Sequence, residues 1–357
     1  MNVPAHPSPL LPALRGGLLA LLAAALFGIS TPLVQQFGAG MGAFSTAALL
    51  YAGAAAVGLL SRRGIDREAR LQATDLPRLL AMAAFGAVIG PVALAWGLQH
   101  TSGTSASLML TLEALFTAVL AWRQYRETMD GRVWSAMALL LAGGMVLVLD
   151  QGIRSGSVGA QLLGLLAVLV ATAAWGVDNT LSRALAERDP GQVVLAKALL
   201  GVTATVLLAM LFGEPWPSAA AALALFAIGA TGYGLSLRFY LLAQRAFGAA
   251  RTGSVFAFAP FIGAAVAVAL GDRSASGLMA LGSGLMLAGV VLHLAESHGH
   301  EHTHEALAHE HAHRHDDGHH DHQHEPMPTD EHSHPHQHTA QRHAHAHVPD
   351  VHHTHRH

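Results

Sequence analysis

The chain has no cysteine among its 357 residues, and charged side chains are scarce. The missing cysteines exclude a disulfide framework, thiol catalysis and a metal site built from thiolates. Only 12% of the residues are charged and 52% are hydrophobic, whereas soluble domains carry about 25% charged residues. Many of these few charges lie after residue 296, so the rest of the chain is too apolar for a soluble core. The composition predicts a polytopic membrane protein.

Apolar runs of about twenty residues, separated by short polar breaks, fill the chain as far as residue 296. Each run can cross a bilayer core of about 30 Å at a rise of roughly 1.5 Å per residue. We therefore predict an all-α integral membrane protein with ten transmembrane helices, preceded by a disordered lead over residues 1–15. The spans are predicted at about 16–36, 41–60, 76–98, 101–122, 133–149, 160–181, 192–212, 219–243, 250–270 and 277–294.

A constant shift of 145 positions aligns the fourth predicted span with the ninth and continues into the span that follows each of them. We interpret this match as an internal duplication, with units over 16–149 and 160–296 joined by a polar link. Since each unit holds an odd number of spans, the second enters the membrane upside down relative to the first. Inverted repeats are typical of secondary transporters, whose site lies near the midplane where the halves meet. The matched pairs are Gln99 and Gln244, Gly103 and Gly248, Phe116 and Phe261, Glu127 and Asp272, and Gly144 and Gly289.

Basic residues are distributed unevenly between the two sides of the predicted bundle. With the amino terminus in the cytosol, fourteen basic residues fall on the inner side and only Arg154 and Arg273 on the outer side. Because cytosolic loops carry the excess of basic residues, this asymmetry predicts a protein of the cytoplasmic membrane with both termini in the cytosol. The inner set is Arg15, Arg62, Arg63, Arg67, Arg70, Arg78, Arg123, Arg126, Arg132, Arg183, Arg188, Lys197, Arg245 and Arg251.

Short motifs recur in equivalent spans of the two units: an aromatic–glycine pair in the first span, and a patterned apolar segment with a closing acidic residue in the fourth. They read Phe27-Gly28 and Trp175-Gly176, T-L-E-A-L-F at 111–116 and F-A-P-F-I at 258–262, and Glu127 and Asp272. On these residues the chain resembles the drug/metabolite transporter superfamily, with two EamA-type halves over about 16–296.

The resemblance implies a ten-helix solute carrier, often an exporter of amino acids or metabolites, and it identifies no binding residue. The chain departs from the family pattern in two places. The fourth span of the first half lacks the proline, and Arg126 replaces the glycine that usually precedes the acidic residue, here Glu127. The histidine-rich end is also similar to that of a subset of these carriers.

Glu113 lies close to the middle of the fourth predicted span. A charge at this depth costs on the order of 2.5–3.5 kcal/mol on insertion scales, so an acid placed there is a functional candidate. We expect Asp178 and Arg238 to pair, as a structural ion pair or as part of the substrate site, which leaves Glu113 without an obvious partner. We predict that Glu113 carries a proton or binds a cationic group. The alternative is a structural glutamate, hydrogen-bonded by Thr111, Thr117 or a neighbouring helix.

Neutral polar and aromatic side chains within the spans are further candidates for lining a substrate pathway. The amides can equally lie at helix ends or bond across helices, and the tryptophans can serve packing or interfacial roles. Gly90-Pro91 predicts a kink in the third span, and Gly86 with Gly90 predicts close helix packing there. The candidates are Gln35, Gln99, Asn179, Gln244, Trp96 and Trp175.

All but three of the 26 histidines lie after residue 297, mostly as H-x-H. Residues 297–357 have almost no apolar content, so we predict a disordered cytosolic tail. Imidazole suits Zn, Ni, Co and Cu, so this density predicts multiple weak metal sites, whereas no cofactor is required by the spans. The alternatives are a pH-sensitive polyelectrolyte or a neutral extension. The first candidate ligands are His298, His300, His302, His304, His309, His311, His313, His315, His319, His320, His322 and His324.

The leading interpretation is a secondary transporter, an exporter, of a small polar metabolite or amino acid. The alternatives are a divalent-metal (Ni, Co or Zn) exporter or metal-regulated carrier that uses the tail, and a membrane-anchored metal sensor or storage protein. The expected partners are the lipid bilayer, a small molecule and divalent metal ions, with no nucleic acid. We expect that the protein is not an enzyme, because the sequence contains no nucleophile–base set, phosphate-binding loop or cofactor motif.

Overall fold

The computed structural model describes residues 10–61, 69–125, 131–154, 158–185, 188–247, 249–274, 276–294, 298–303, 307–313, 332–338 and 342–347. The helices of the first half are α1 (Leu10–Phe37), α2 (Ala43–Leu60), α3 (Leu76–Met82), α4 (Gly90–Leu98), α5 (Gly103–Met109), α6 (Glu113–Tyr125) and α7 (Gly131–Arg154). Those of the second half are α8 (Val158–Ser182), α9 (Pro190–Leu211), α10 (Ala219–Ile228), α11 (Ser236–Phe247), α12 (Ala249–Phe256), α13 (Ala259–Ala269) and α14 (Gly277–Leu294).

Several of these helices join end to end into longer spans. A π-helical segment connects α3 to α4 and another connects α10 to α11, while α5 continues into α6 and α12 into α13. In the described part of the chain, nine of the resulting segments are long and apolar enough to cross a membrane, and α14 is a shorter apolar helix at the tenth predicted position. The predicted all-helical membrane architecture is confirmed.

The third span of the first half contains a π-helical segment, Ala83–Ile89, where the sequence predicts a kink. The Gly90 amide donates to the carbonyl of Phe85, five residues back rather than four. The next residue, Pro91, has no amide hydrogen, so the carbonyl of Gly86 has no backbone donor in this register. The wide turn therefore leaves one carbonyl inside the bundle for side-chain donors.

Both fourth spans are interrupted near their middle. In the first half a 3-10 turn, Leu110–Leu112, separates α5 from α6, which starts at Glu113. In the second half two residues separate α12 from α13, and Pro260 lies in the first turn of α13. The proline accounts for the second interruption, since it removes a helical hydrogen bond. The first half lacks this proline and has a carboxylate at the break instead.

The two halves pack against each other through equivalent helices. α2 lies along α9, α7 along α14, α1 against α11 and α13, and α8 against α4 and α6. α2 and α9 run in opposite directions, because the rings of Phe44 and Phe212 stack at 5.3 Å near one end while Gly58 approaches Leu195 near the other. The largest apolar core therefore draws residues from both halves, as expected for intertwined inverted repeats.

The start of the first helix and the link between the two halves differ from the sequence-based expectation. α1 starts at Leu10, so the last residues of the predicted lead are helical, and Pro12 lies in the first turn, where proline is tolerated. α7 extends to Arg154 and α8 starts at Val158, which shortens the predicted polar link.

The tail, predicted to be disordered, contains four strands in its described part: β1 (His298–Thr303), β2 (Leu307–His313), β3 (His332–His338) and β4 (Arg342–His347). β1 pairs with β4 and β2 with β3, both antiparallel. The H-x-H pattern has the period of two that a strand requires, which explains the difference from the prediction. The register pairs His298 with His347, His300 with His345, His302 with His343, His309 with His336, His311 with His334, and His313 with His332.

Candidate functional site

Glu113 is partly buried at the break of the fourth span and has a hydrogen-bond partner on another helix. The side-chain amide of Asn179, on α8, donates to Glu113 Oε1. The expectation that Glu113 lacks a partner is therefore wrong, because α8 packs against α6 and brings the amide to the carboxylate. Two of the predicted site residues, one from each half, meet here.

Asp178 forms an ion pair with Lys197 rather than with Arg238. Only 5% of Asp178 and 2% of Lys197 are exposed, so the pair is buried. The predicted Asp178–Arg238 pair is wrong in its partner, because α9 places Lys197 beside Asp178, whereas Arg238 is a half-buried residue of α11. Lys197 is thus an intramembrane residue and not part of the inner basic set.

Glu113, Asn179, Asp178 and Lys197 form one polar cluster, which we call the central cluster. The charges of Asp178 and Lys197 both act on Glu113. The cluster therefore combines two carboxyl groups with one ammonium group. Paired, hydrogen-bonded charges of this kind are the form in which ionisable residues occur inside membranes, and they are typical of substrate and ion pathways.

Gly86 connects the central cluster to the kinked third span. Its carbonyl, which lacks a backbone donor, accepts a hydrogen bond from the hydroxyl of Tyr51, on α2. It accepts a second one from Nε1 of Trp175, on α8, at 3.1 Å. A methyl group at Gly86 would overlap the carboxylate of Asp178. The close packing that the sequence predicts at Gly86 is therefore a contact with the cluster itself, and any larger residue would displace the Asp178 carboxylate.

An aromatic cluster, contributed by both halves, shares Tyr51 and Trp175 with this region. Phe27 lies 5.4 Å from Trp175 and 5.5 Å from Phe256, measured between ring centroids, and Tyr51 lies 5.6 Å from Tyr233. Tyr240 and Phe256 are 5.1 Å apart. The members are Phe27, Tyr51, Trp175, Tyr233, Tyr240 and Phe256. Such rings provide an apolar wall that also tolerates a cation.

The model of the EamA-like transporter family matches residues 14–149 and 162–295. The chain belongs to this family. The two matched segments coincide closely with the duplicated units, so the predicted resemblance is confirmed and the protein is a membrane transporter by family.

Two further proteins are similar to this chain, one in sequence and one in structure. The chain is 26% identical over 236 residues to a protein of Methanothermobacter thermautotrophicus described as an uncharacterized transporter, covering 65% of this chain and 68% of that one. A crystal structure with 20% identity superposes with a TM-score of 0.54, covering 79% of this chain and 95% of the other. At this identity the second likeness shows the fold alone.

Contacts between the halves occur at both ends of this EamA-like bundle. At one end Arg188 Nε donates to Asp75 Oδ2 at 2.9 Å, and the Asp189 amide donates to the Ala69 carbonyl at 2.8 Å. At the other end Glu214 accepts from the Ser45 amide at 2.7 Å, at the start of α2. These links hold the halves together outside the central cluster.

Asp272, which the sequence equates with Glu127, caps the fourth span of the opposite half. Its Oδ2 accepts from the Thr104 amide at 2.9 Å and from the Thr104 hydroxyl at 2.8 Å. Partial burial raises the pKa of Asp272, but the bonds from Thr104 and Ser274 outweigh this effect, so the pKa lies below its ordinary value. Glu127 itself lies outside the described residues.

The remaining predicted residues take other places in the EamA-like fold. Gln35 donates to the carbonyls of Leu98 at 3.1 Å and Thr101 at 2.9 Å, and so acts at a helix end. Gln99 and Trp96 line a pocket of about 630 Å³ between α2, α4 and α8, whose lining includes no residue of the central cluster. Gln244 is buried on α11, one turn beyond Tyr240.

The described residues contain no group of three or more metal-ligating side chains positioned to hold an ion. Six of the candidate tail ligands lie outside the described residues: His304, His315, His319, His320, His322 and His324.

Sequence reasoning missed Lys197, Tyr51 and the carbonyl of Gly86. A signal for Lys197 was present, because a lysine two turns into an apolar span is an intramembrane charge and not a loop charge. Pro91 also carried a signal: a proline five residues after Gly86 removes the donor of a π turn. The contact of Tyr51 with that carbonyl depends on tertiary packing and has no local signature.

Proposed function

We propose that this chain is a secondary transporter that exports a small polar metabolite or amino acid across the cytoplasmic membrane, with both termini in the cytosol. The observation that carries this proposal is the central cluster. Two carboxyl groups and one ammonium group lie buried or partly buried where helices of the two halves meet, and inverted repeats typically form their substrate site at such an interface. The aromatic cluster beside it supplies an apolar wall for the rest of the molecule.

Glu113 is the proposed coupling or binding acid of the carrier. Lys197 neutralises only one of the two carboxyl groups in the central cluster, so the second favours a proton or a cationic group of the substrate. Glu113 is more exposed than Asp178, which makes it the more accessible of the two acids. An amide hydrogen bond from Asn179 holds it in place without neutralising it.

Substrate efflux from loaded proteoliposomes tests this proposal. Vesicles carrying the purified chain are loaded with one of the twenty amino acids or a panel of polar metabolites, and release is measured with and without a pH gradient. We expect release of at least one compound that depends on the gradient. A Glu113→Gln variant should lose that pH dependence, whereas Thr203→Val, which faces outward on α9, should retain it. Unchanged pH dependence in Glu113→Gln, at equal expression, contradicts the role of Glu113.

A metal-dependent function is the second candidate, and the histidine register of the tail favours it. Antiparallel pairing in β1–β4 and β2–β3 sets histidine positions opposite each other, and imidazole is a ligand that suits Zn, Ni, Co and Cu. In this alternative the tail gathers Zn, Ni, Co or Cu for export or regulation. Truncation after residue 297 separates the functions: metabolite release that is unchanged favours the metabolite carrier, and lost metal tolerance favours the metal carrier. A metal sensor or storage protein predicts no flux at all.

A further inference from the structure

We infer that Lys197 determines which molecules the carrier accepts: its ammonium group binds a carboxylate of the substrate in exchange for Asp178. This inference rests on the proposed function and names the chemistry of its central cluster. Lys197 is the cationic member of that cluster, and the sequence places no second lysine anywhere in the chain.

The ion pair leaves hydrogen-bonding capacity unused on both sides. An ammonium group has three donors, and among the described residues the bond from Lys197 goes to Asp178 Oδ2. The other oxygen, Oδ1, is buried and has no hydrogen-bond partner in the described part of the chain. Buried polar groups are normally satisfied, so a pair in this condition is suited to take up a polar ligand.

The charges of the cluster match a molecule that carries one carboxylate and one ammonium group. The substrate carboxylate can take the place of Asp178 on Lys197, while the substrate ammonium takes the place of Lys197 on the carboxyl groups of Asp178 and Glu113. Every charge then keeps a partner, which matters because an unpaired charge in a buried site is strongly unfavourable. The exchange leaves the net charge of the site unchanged.

An amine without a carboxylate fits this site poorly. It can pair with Glu113, but it brings no carboxylate for Lys197 and adds a second cation beside that ammonium group. A divalent metal ion meets the same repulsion, which is stronger because the ion carries two positive charges. Lys197 therefore favours zwitterionic substrates over amines and over divalent metals.

Matched ligand pairs test the inference. The purified chain in lipid nanodiscs is titrated with leucine and 3-methylbutylamine, with phenylalanine and phenethylamine, and with tryptophan and tryptamine, each pair differing only by the carboxylate. We expect at least one amino acid to bind roughly 100-fold more tightly than its amine, because a site built around a polar group rejects an analogue that lacks it. Binding is followed by calorimetry and by the ligand-induced shift in melting temperature.

Substitutions assign the preference to Lys197. The double variant Asp178→Asn/Lys197→Met removes both charges, so that neither remains buried alone, and should bind acid and amine within about threefold of each other, a difference of less than 1 kcal/mol. Lys197→Arg keeps a cation and should retain the preference for the acid. Thr203→Val, on the same helix, serves as the control for handling and stability.

Each outcome decides one claim. Equal affinity of the wild type for acid and amine, or a preserved preference in the double variant, overturns the role of Lys197 while leaving the carrier function standing. A folded chain that neither binds nor transports any amino acid overturns this inference; if it also releases none of the polar metabolites, the metabolite carrier fails with it. Loss of the preference in the double variant together with its retention in Lys197→Arg supports the inference.

Discussion

The third spans of the two halves share a π-helical segment, but a proline follows this segment only in the first half. Under the shift that defines the duplication, Pro91 corresponds to Ser236 and Gly86 to Thr231. The Ser236 amide donates to the carbonyl of Thr231, so the second π segment satisfies itself. In the first half the proline removes that donor, and side chains from α2 and α8 replace it. Both halves thus keep the π-helical turn. In the first half Pro91 leaves a carbonyl of this turn free to bind side chains from both halves.

The charged residues of the central cluster also lie at positions where the two halves differ. When Gly28 is paired with Gly176 and Gly53 with Gly201, each charged residue of the cluster corresponds to an uncharged one. The pairs are Asp178 and Ser30, Lys197 and Leu49, and, by the shift of the fourth spans, Glu113 and Phe258. The common architecture therefore supports the fold, and the differences between the halves supply the chemistry. The predictions below alter these differences in turn.

The largest effect is expected when one member of the ion pair is replaced by its counterpart in the other half. Lys197→Leu leaves Asp178 buried without its cation and should lower the free energy of unfolding by about 3–5 kcal/mol. The double variant Asp178→Ser/Lys197→Leu should regain most of this loss, because no charge remains unpaired. Unfolding by sodium dodecyl sulphate in mixed micelles measures both. Equal losses in the single and double variants contradict the pairing.

A side chain at Gly86 should have the next largest effect. Gly86→Ala places a methyl group on the carboxylate of Asp178 and should cost about 1–3 kcal/mol of unfolding free energy, as overpacking does. The corresponding Thr231 is exposed, so Thr231→Ala should change stability little. Gly152→Ala, a helical position with open space, is the control and should be neutral or stabilising by up to about 1 kcal/mol.

Removing the hydroxyl of Tyr51 tests the replacement of the missing amide. Tyr51→Phe removes one hydrogen bond to the carbonyl of Gly86 and should cost about 1 kcal/mol. In a Pro91→Ser background, which gives the first half the residue of the second, the backbone supplies a donor and the cost should fall. A double-mutant cycle measures the coupling; a cost that does not depend on residue 91 contradicts the proposed cause.

The smallest effect is expected at the cap that Asp272 provides. Asp272→Ala should lower stability by about 1 kcal/mol at neutral pH, whereas Arg273→Ala next to it should have almost none. Because the pKa of Asp272 is lowered by folding, its contribution is complete above the ordinary aspartate pKa and disappears as the pH falls through the folded-state value. Unfolding curves of wild type and variant should therefore differ at neutral pH and converge at strongly acidic pH. A constant difference would contradict the cap.

Much of the fold was readable from the sequence because membrane helices need long apolar runs and repeats leave a constant shift. Glu113, Asp178, Asn179 and Trp175 were recognisable, since polar and aromatic residues stand out within such runs. Their partners were not, because pairing depends on which helices of the two halves touch. For that reason the sequence suggests a place for Lys197 among the basic residues of the inner surface and suggests Arg238 as the partner of Asp178. In the structure the partner of Asp178 is Lys197.

The carboxylates of Glu214 and Asp272 close the starts of α2 and α5, and both belong to the half that the ribosome makes last. Until those segments insert, two helix ends of the earlier half must be satisfied by water or lipid head groups. Completion of the amino-terminal repeat is thus a late step of biogenesis, and this repeat expressed alone would present exposed amide groups to the quality-control machinery of the membrane.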